Sequence, residues 1–174
     1  MTVRIDALAF RMATAEDASR LAAVMAEGIG TYRSFAGERF TPPGTAEIEA
    51  AFAGRLGRPD VWCRLAADGD ALAGYVSLLP ATQAAHPVAD PTLMHFWMLF
   101  VRPPWWGSGL AARLHADACA EARARGFSAL RLFTPSAQVR ARAFYEREGW
   151  TIAGVPFAHD GMGIDMVEYR RALP

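Results

Sequence analysis

A continuous apolar segment, residues 93–101, leads through a turn rich in proline and glycine into an alanine-rich stretch, residues 110–125. The apolar segment has the character of a strand buried on both faces of a sheet, and it is too short to span a bilayer. The alanine-rich stretch contains neither glycine nor proline, which predicts a helix. A buried strand that leads into a helix through a short turn needs helices to cover its sheet, so it restricts the chain to α/β architectures.

The turn carries Gly107-Ser108-Gly109 immediately before the predicted helix. Glycines let the backbone approach a ligand closely, and the first turn of a helix presents unpaired N–H groups and a partial positive charge. Residues 107–112 are therefore predicted to hold a diphosphate group. A tight turn without a ligand is the alternative, because Gly-x-Gly alone is a weak signal. A Rossmann site is disfavoured because the loop follows a late strand and lacks the downstream acid, and a Walker loop is excluded because Gly-Lys-Ser/Thr is absent.

Hydrophobic periodicity and turn residues divide the rest of the chain into further elements. A hairpin around residues 68–70 implies antiparallel pairing, whereas a strand–helix–strand–helix run in the second half implies parallel pairing. The sequence therefore predicts an α/β fold with a mixed, mostly antiparallel seven-stranded sheet and helices on both faces. The predicted strands are residues 7–12, 61–67, 71–79, 93–101, 129–134, 151–155 and 164–171. The predicted helices run from residue 14 to the glycines Gly28 and Gly30, and over residues 45–56, 110–125 and 136–148.

Length and charge limit the function classes. The 174 residues fit one domain, residues 1–174, and 18 arginines balance 18 acidic residues in a chain without lysine. Without a basic field, neither nucleic acid nor a membrane is expected as a partner. The two cysteines, Cys63 and Cys119, form no disulfide framework and no metal-ligand spacing, so no metal is expected. The N-terminus shows no secretory signal pattern, and a cytoplasmic location is the expectation.

Two segments together resemble the GNAT acetyltransferases. In residues 100–112, a strand ending in Leu-Phe-Val, a proline two residues later and Gly-Ser-Gly-Leu-Ala are similar to the family pattern Val-x-Pro…Arg-Gly-x-Gly-x-Gly/Ala. Residues 138–150, Gln-Val-Arg-Ala-Arg-Ala-Phe-Tyr-Glu-Arg-Glu-Gly-Trp, are similar to its Asn-x-x-Ala-x-x-Phe-Tyr-Glu-x-x-Gly-Phe. The order and spacing of the segments also match the family. This chain departs from it at Trp106, where Arg or Gln is usual, and at Gln138, where Asn is usual.

The resemblance implies the acyl-CoA N-acyltransferase fold and the transfer of an acetyl group from acetyl-CoA to a primary amine of a small molecule or peptide. It places the pantetheine arm and the oxyanion donors on the backbone of the fourth strand, and it makes Tyr145 the general acid that protonates the departing thiolate. The cofactor-binding residues that it implies are Leu99, Phe100, Val101, Trp106, Gly107, Ser108, Gly109, Leu110, Ala111, Ala112 and Gln138. Family members are often dimers, so a homodimer is a further expectation.

His95 is the candidate general base, because histidine titrates near neutral pH. Strand alternation predicts that His95 shares a face with Trp97, Leu99 and Val101. A histidine hydrogen-bonded within the sheet is the alternative reading of this residue. His86 and Glu38, on flanking loops, are further candidates for the base.

Residues 31–44 are rich in aromatic side chains and arginine, and the resemblance places the acceptor site there. The predicted acceptor-binding residues are Tyr32, Arg33, Phe35 and Glu38. Additional aromatic residues belong either to this site or to the core: Phe40, Trp62, Trp97 and Phe157. Because the stretch has one acidic residue, the acceptor is expected to be a small, partly apolar or amino-acid-like amine rather than a polycation.

Two other functions stay open at this stage. One is a protein that binds acyl-CoA as a sensor with little catalysis, which the departures at Trp106 and Gln138 suggest. The other is an acyltransferase that uses a different acyl chain or an oxygen acceptor. Thiol release from several acyl-CoAs in the presence of amines distinguishes these functions.

Overall fold

The structure is a computed structural model that describes residues 5–174. Its seven strands and four α-helices follow the predicted order. The strands are β1 (Ala9–Met12), β2 (Trp62–Asp68), β3 (Ala71–Pro80), β4 (Leu93–Val101), β5 (Ala129–Pro135), β6 (Thr151–His159) and β7 (Ile164–Ala172). The helices are α1 (Ala18–Gly30), α2 (Thr45–Ala53), α3 (Leu110–Ala124) and α4 (Val139–Arg147).

All seven strands form one sheet in the order β1-β2-β3-β4-β5-β7-β6. Every neighbouring pair is antiparallel except β4 and β5, which are parallel. The parallel pair is joined by α3, as a crossover between parallel strands requires. The predicted mixed and mostly antiparallel sheet is therefore confirmed.

The helices cover the two faces of the sheet separately. On one face, Leu110 and Leu114 of α3 and Tyr145 of α4 pack in a core with Phe96 and Trp150. On the other face, α1 and α2 form a second core with β2 and β3, to which Leu21, Ile48, Phe52, Leu65 and Tyr75 contribute. The prediction of helices on both faces is confirmed, and the spacing of apolar residues along each helix explains which side it buries.

A charged contact joins β1 to the start of α1. The Arg11 guanidinium donates two hydrogen bonds of 2.7 Å to the Asp17 carboxylate, which also accepts a 2.9 Å bond from the Thr14 N–H. These bonds hold the pKa of Asp17 at about 2, because each of them favours the ionised carboxylate. The predicted helix start near residue 14 thus reflects a capping arrangement, with a 3₁₀ turn at Ala15–Asp17 before α1 begins.

Several element boundaries differ from the sequence prediction. The first strand begins at Ala9 instead of residue 7, because Ile5–Ala7 form a 3₁₀ turn, and β6 extends to His159 instead of ending at residue 155. Gly28 lies inside α1 and does not end it. A Cβ atom at Gly28 would lie 2.2 Å from the Phe100 ring, so glycine is required there for the close approach of α1 to β4.

A bulge in β4 decides which side chains face each core. Ser77 of β3 pairs with Met98 and Leu78 pairs with Phe96, which leaves Trp97 as an extra residue in β4. The bulge reverses the alternation, so that Phe96 packs in the core under α3 and Trp97, Met98 and Phe100 pack toward α1. Beyond the bulge, Leu99 packs toward α3.

No helix in residues 5–174 combines the length and apolar character needed to cross a bilayer.

Candidate active site

A cleft opens where β4 and β5 separate. The two strands pair only through residues 93–95 and 129–131, and beyond them β5 continues to pair with β7 alone. The cleft has a volume of about 760 Å³ and is lined by the second half of β4, the turn before α3, the end of β5, one side of α4 and the end of α1. The separation leaves the outer edge of β4 without a strand partner beyond residue 95.

The turn before α3 forms a concave backbone surface at one end of the cleft. Gly107 and Gly109 have φ values of 79° and 90°, a region that is costly for residues with a Cβ. The Ser108 hydroxyl donates a 2.7 Å bond to the Trp105 carbonyl and accepts a 3.3 Å bond from the Leu110 N–H, which fixes the turn. Ser108 itself does not line the cleft, whereas both glycines do.

The first turn of α3 supplies free N–H groups beside this surface. The first backbone bond of the helix is donated by the Arg113 N–H to the Gly109 carbonyl, at 3.0 Å. The N–H groups of Ala111 and Ala112 precede that bond, so they lack a partner within the helix, and both residues line the cleft. Unpaired N–H groups at a helix start, together with the helix dipole, are suited to bind an anion.

Trp106 and Arg140 meet across the mouth of the cleft. The guanidinium carbon of Arg140, at the start of α4, lies 3.8 Å from the centroid of the Trp106 ring, and both residues line the cleft. The Trp106 indole N–H donates a 2.7 Å bond to the Val101 carbonyl. The loop has Trp106 where Arg or Gln is usual in the family, and Arg140 provides a positive charge at the same end of the cleft.

The open edge of β4 presents the backbone groups of Leu99 and Val101. The Arg102 N–H donates to the Ala73 carbonyl of β3 at 2.9 Å, so the groups of Arg102 and Phe100 point toward β3. By alternation, the N–H and carbonyl groups of Leu99 and Val101 point into the cleft. An extended chain lying in the cleft would pair with them as an added strand does.

Tyr145 of α4 is part of the cleft lining. Only 8% of the residue is exposed, and its ring packs 6.3 Å from Phe96 and 5.8 Å from Trp150. Burial raises the pKa of Tyr145 far above its usual range, because ionisation would leave a charge in an apolar environment. The phenol therefore stays protonated at neutral pH, so it can donate a proton but cannot accept one.

Aromatic side chains from three elements surround the other end of the cleft. Tyr32 and Phe35 follow α1, with their ring centroids 5.2 Å apart. Trp97 and Phe100 of β4 and Phe133 of β5 complete this end. Burial raises the pKa of Tyr32 to about 12, so that its hydroxyl is neutral as well.

The structure does not bring all of the predicted site residues into the cleft. Tyr32, Phe35 and Gln138 line it, whereas Arg33 and Glu38 are exposed and are not part of its lining. Arg33 instead lies with its guanidinium carbon 6.0 Å from the Phe40 ring centroid. Of the other aromatic candidates, Trp97 lines the cleft, while Trp62 and Phe40 belong to the cores and Phe157 packs on Phe133 at 5.1 Å.

His95 lies outside the cleft lining, buried between β3 and β5. Its ring is tilted relative to the Phe133 ring, with the two centroids 5.1 Å apart. Burial and the neighbouring Arg131 lower the pKa of His95 to about 3, so it is a poor proton acceptor near neutral pH. The expectation that His95 shares a face with Leu99 and Val101 was wrong, because the bulge at Trp97 reverses the alternation between them.

The remaining candidates for a base are also absent from the cleft lining. His86 packs edge-on against Phe133 and Phe157 with centroid separations of 5.7 Å and 5.0 Å, on an exposed loop. Glu38 is exposed on the loop after α1. No group of three or more histidine, cysteine, aspartate or glutamate side chains within residues 5–174 is arranged to hold a metal ion.

Some cleft residues were not predicted from the sequence. They include Gly28, Thr31, Phe133, Arg140, Phe144 and Arg147. Arg140, Phe144 and Arg147 lie within the second motif at positions i, i+4 and i+7, and this spacing could have placed them on one face of α4. Gly28 and Phe133 depend on contacts between distant elements, for which the sequence carried no local signal.

Comparisons with known proteins agree with this geometry. The model of the acetyltransferase (GNAT) family matches residues 29–150 of the chain. No curated protein matches the sequence.

Three solved structures illustrate the shared fold. A Desulfovibrio desulfuricans protein assigned to the GNAT family has a TM-score of 0.74 and 23% identity, with 96% of this chain and 99% of that chain covered. An N-acetyltransferase from Staphylococcus aureus has a TM-score of 0.73 and 16% identity, with the same coverage of 96% and 99%. PaiA N-acetyltransferase from Thermoplasma acidophilum, in complex with coenzyme A, has a TM-score of 0.69 and 15% identity, with 92% and 97% covered.

At these identities the structural likeness concerns the fold, and the family match carries the assignment. That match begins near the end of α1 and ends at Trp150, so it includes the separated strands, the glycine turn and the second motif. Because it spans well over half of the sequence, the chain belongs to the GNAT family of acetyltransferases.

Proposed function

We propose that the cleft binds acetyl-CoA and that the enzyme transfers its acetyl group to a primary amine of a small molecule or peptide. The observation that carries this proposal is the alignment along one cleft of an anion-binding helix start, an unpaired strand edge and a buried tyrosine. The anion site fits a pyrophosphate, since Gly107 and Gly109 leave open space where a Cβ would project. The strand edge fits the amide groups of a pantetheine arm, and the volume accommodates an extended ligand.

When bound, acetyl-CoA supplies an activated thioester carbonyl. The N–H groups at Leu99 and Val101 are the donors that would stabilise negative charge on the carbonyl oxygen as the amine attacks. Each such donor is fixed by β4 before the reaction, which avoids the reorganisation that water would require. Arg140 and the N–H groups of Ala111 and Ala112 would hold the phosphates at the other end.

Tyr145 is proposed to protonate the departing thiolate. It lines the cleft, and its raised pKa keeps the proton on oxygen until the sulfur carries charge. General acid catalysis of this kind contributes about 10²- to 10⁴-fold to a rate. We therefore expect Tyr145→Phe to lower kcat by about 10²-fold or more while acetyl-CoA affinity stays within a few fold.

Tyr75→Phe is the matched control for this experiment. Tyr75 is also a fully buried tyrosine, its hydroxyl has no hydrogen-bond partner among the described residues, and it does not line the cleft. Thiol release from acetyl-CoA with an amine panel, together with calorimetric binding of acetyl-CoA, measures both effects. A kcat for Tyr145→Phe within twofold of wild type contradicts the acid role. Binding of acetyl-CoA without thiol release for any amine favours the sensor instead.

The acceptor end of the cleft supports a small, partly apolar amine. Tyr32, Phe35 and Trp97 offer apolar surface, and no carboxylate in the described chain lines the cleft to bind a polycation. The preference for acetyl over longer acyl chains is part of the proposal and is tested by comparing acyl-CoAs in the same assay. The single domain, the cytoplasmic location and the homodimer expected from the sequence stay predictions.

A further inference from the structure

The cleft has an unusual set of ionisable side chains for an enzyme whose nucleophile is an amine. Within residues 5–174, the ionisable side chains that line it are Tyr32, Tyr145, Arg140 and Arg147. Both tyrosines have raised pKa values, so they are neutral, and both arginines are cationic. The lining thus contains two fixed positive charges and no group that accepts a proton near neutral pH.

The layer behind the aromatic end carries charges of both signs. Glu168 of β7 lies opposite Phe133 in the sheet, where it pairs with the Arg170 guanidinium and attracts that of Arg131. Glu168 does not line the cleft. The Arg131 guanidinium carbon lies 4.8 Å from the Phe133 ring centroid, and the same ring contacts His95 and His86. His95 is neutral at pH 7, because burial and Arg131 lower its pKa to about 3. The carboxylate of Asp165 lines a smaller neighbouring cavity, which shares Phe35 with the cleft and also contains Arg39.

An alkylamine is protonated at pH 7 and would enter this cleft as a cation. Its ammonium group would lose hydration without gaining a carboxylate partner, which is costly in a partly buried site. It would also have to lose its proton before attack, and the lining offers no base for that step. Cation–π contacts with the aromatic rings offset only part of this cost.

The aromatic end suits a planar apolar group. Phe52 and Tyr75 pack behind the Trp97 and Phe100 rings, with centroid separations of 5.2 Å between Phe52 and Trp97 and 6.1 Å between Tyr75 and Phe100. Phe133 forms the facing wall from β5. Rings held in this way offer stacking and edge-to-face contacts to an aromatic acceptor.

We propose that the acceptor is a weakly basic amine attached to an aromatic ring, an amine of the aniline type that enters the cleft in its neutral form. This inference rests on the proposed acetyl transfer and specifies its acceptor. The cleft excludes protonated amines because its lining has no proton acceptor. It favours an aromatic acceptor through its walls, which are formed by Tyr32, Phe35, Trp97, Phe100 and Phe133.

The reaction balances without an external base. The amine nitrogen uses its lone pair to form the C–N bond with the thioester carbonyl carbon, and the C–S bond breaks with its electron pair on sulfur. The thiolate takes the proton of the Tyr145 hydroxyl. The nitrogen then gives one of its two hydrogens to the tyrosinate, so the products are an amide and a free thiol, and Tyr145 is protonated again.

Three amines of similar size test the inference. Aniline is aromatic and neutral at pH 7, benzylamine is aromatic and protonated, and cyclohexylamine is protonated but not aromatic. We expect kcat/KM at pH 7 to be at least tenfold higher for aniline than for benzylamine, and lowest for cyclohexylamine. Between pH 6 and pH 8, kcat/KM should stay flat for aniline and rise about tenfold per pH unit for benzylamine, following its neutral fraction. Calorimetry without acetyl-CoA should show binding of aniline at pH 7 and none of benzylamine.

Asp165→Asn tests the rival proton acceptor in the neighbouring cavity, and the inference predicts an unchanged pH profile for this variant. The inference is overturned if benzylamine is acetylated as fast as aniline at pH 7. It is also overturned if benzylamine shows a flat pH profile that Asp165→Asn abolishes. Either result leaves the proposed acetyl transfer intact. Absence of acetyl-CoA binding, or of thiol release with all three amines and with amino-acid amines, overturns the proposed function itself.

Discussion

The indole N–H of Trp106 donates a hydrogen bond to the Val101 carbonyl. The proposed pantetheine arm would need the same carbonyl as an acceptor. The bond is 2.7 Å long, and 45% of the Trp106 residue is exposed to solvent. If acetyl-CoA pairs with this edge of β4, the indole must give up its bond when the ligand enters. We therefore predict that Trp106→Phe, which removes the N–H and keeps an aromatic ring, tightens acetyl-CoA binding.

The expected size follows from the cost of one hydrogen bond. A bond between neutral groups contributes about 0.5–1.5 kcal/mol net, which corresponds to about a 2- to 12-fold decrease in Kd when it no longer has to be broken. The contact with Arg140 is largely retained, because a phenyl ring also attracts a guanidinium, although less strongly than an indole does. Arg140→Met should act in the opposite direction and weaken binding, since it removes the cation at the phosphate end.

Isothermal titration calorimetry of acetyl-CoA against wild type, Trp106→Phe and Arg140→Met measures both directions. In the wild-type protein, ligand binding should also change the emission of Trp106, the most exposed indole of the chain. A Kd for Trp106→Phe equal to or higher than that of wild type refutes the reasoning, because the indole would then assist binding rather than compete with it.

Two further predictions concern stability. Gly109→Ala should lower the free energy of unfolding by about 1–2 kcal/mol, because alanine is strained at a φ of 90°. Gly30→Ala, at a φ of −56°, should be neutral or stabilising. Urea titration of both variants measures these changes. His95 and His115 are buried with pKa values lowered by burial to about 3 and about 4, so the unfolded chain binds protons below about pH 6.5 that the folded chain does not. The free energy of unfolding should therefore fall as the pH drops from about 6.5 toward 4, with a slope that approaches about 1.4 kcal/mol per pH unit for each histidine. Equal urea midpoints at pH 7.5 and pH 5 would contradict this prediction.

The strand–turn–helix at the cofactor end could be read from the sequence because its signals are local. Positive φ values at Gly107 and Gly109, the end of β4 and the start of α3 all depend on residues adjacent in the chain. The element order followed from the same kind of signal, and with it the mixed sheet. The second motif likewise placed Tyr145 on a helix that faces the cleft.

The sequence predictions failed where contacts between distant elements determine the position of a side chain. Perfect alternation placed His95 with Leu99, but the bulge at Trp97 moved the histidine to the opposite face of the sheet. Whether a residue beside the site reaches it depends on loop conformation, and the loop after α1 directs Arg33 into solvent. Gly28 lies inside α1 but was predicted to end it, because its role is to accommodate the Phe100 ring of β4, a contact between distant parts of the chain.

The most direct test of the central claim is to place a negative charge where the cofactor's phosphates are proposed to lie. Ala112 is exposed in the first turn of α3 and lines the cleft, whereas Ala120 is exposed two turns further along the same helix and does not. A glutamate at the helix start favours the helix itself, so Ala112→Glu should fold at least as stably as Ala120→Glu.

Calorimetric titration of acetyl-CoA into these two variants and wild type gives the answer. Ala120→Glu should bind acetyl-CoA as wild type does. Ala112→Glu should lose at least about tenfold in affinity for acetyl-CoA, because the added carboxylate repels the phosphates at close range. Equal affinity of all three proteins for acetyl-CoA would contradict the assignment of the anion site at the start of α3.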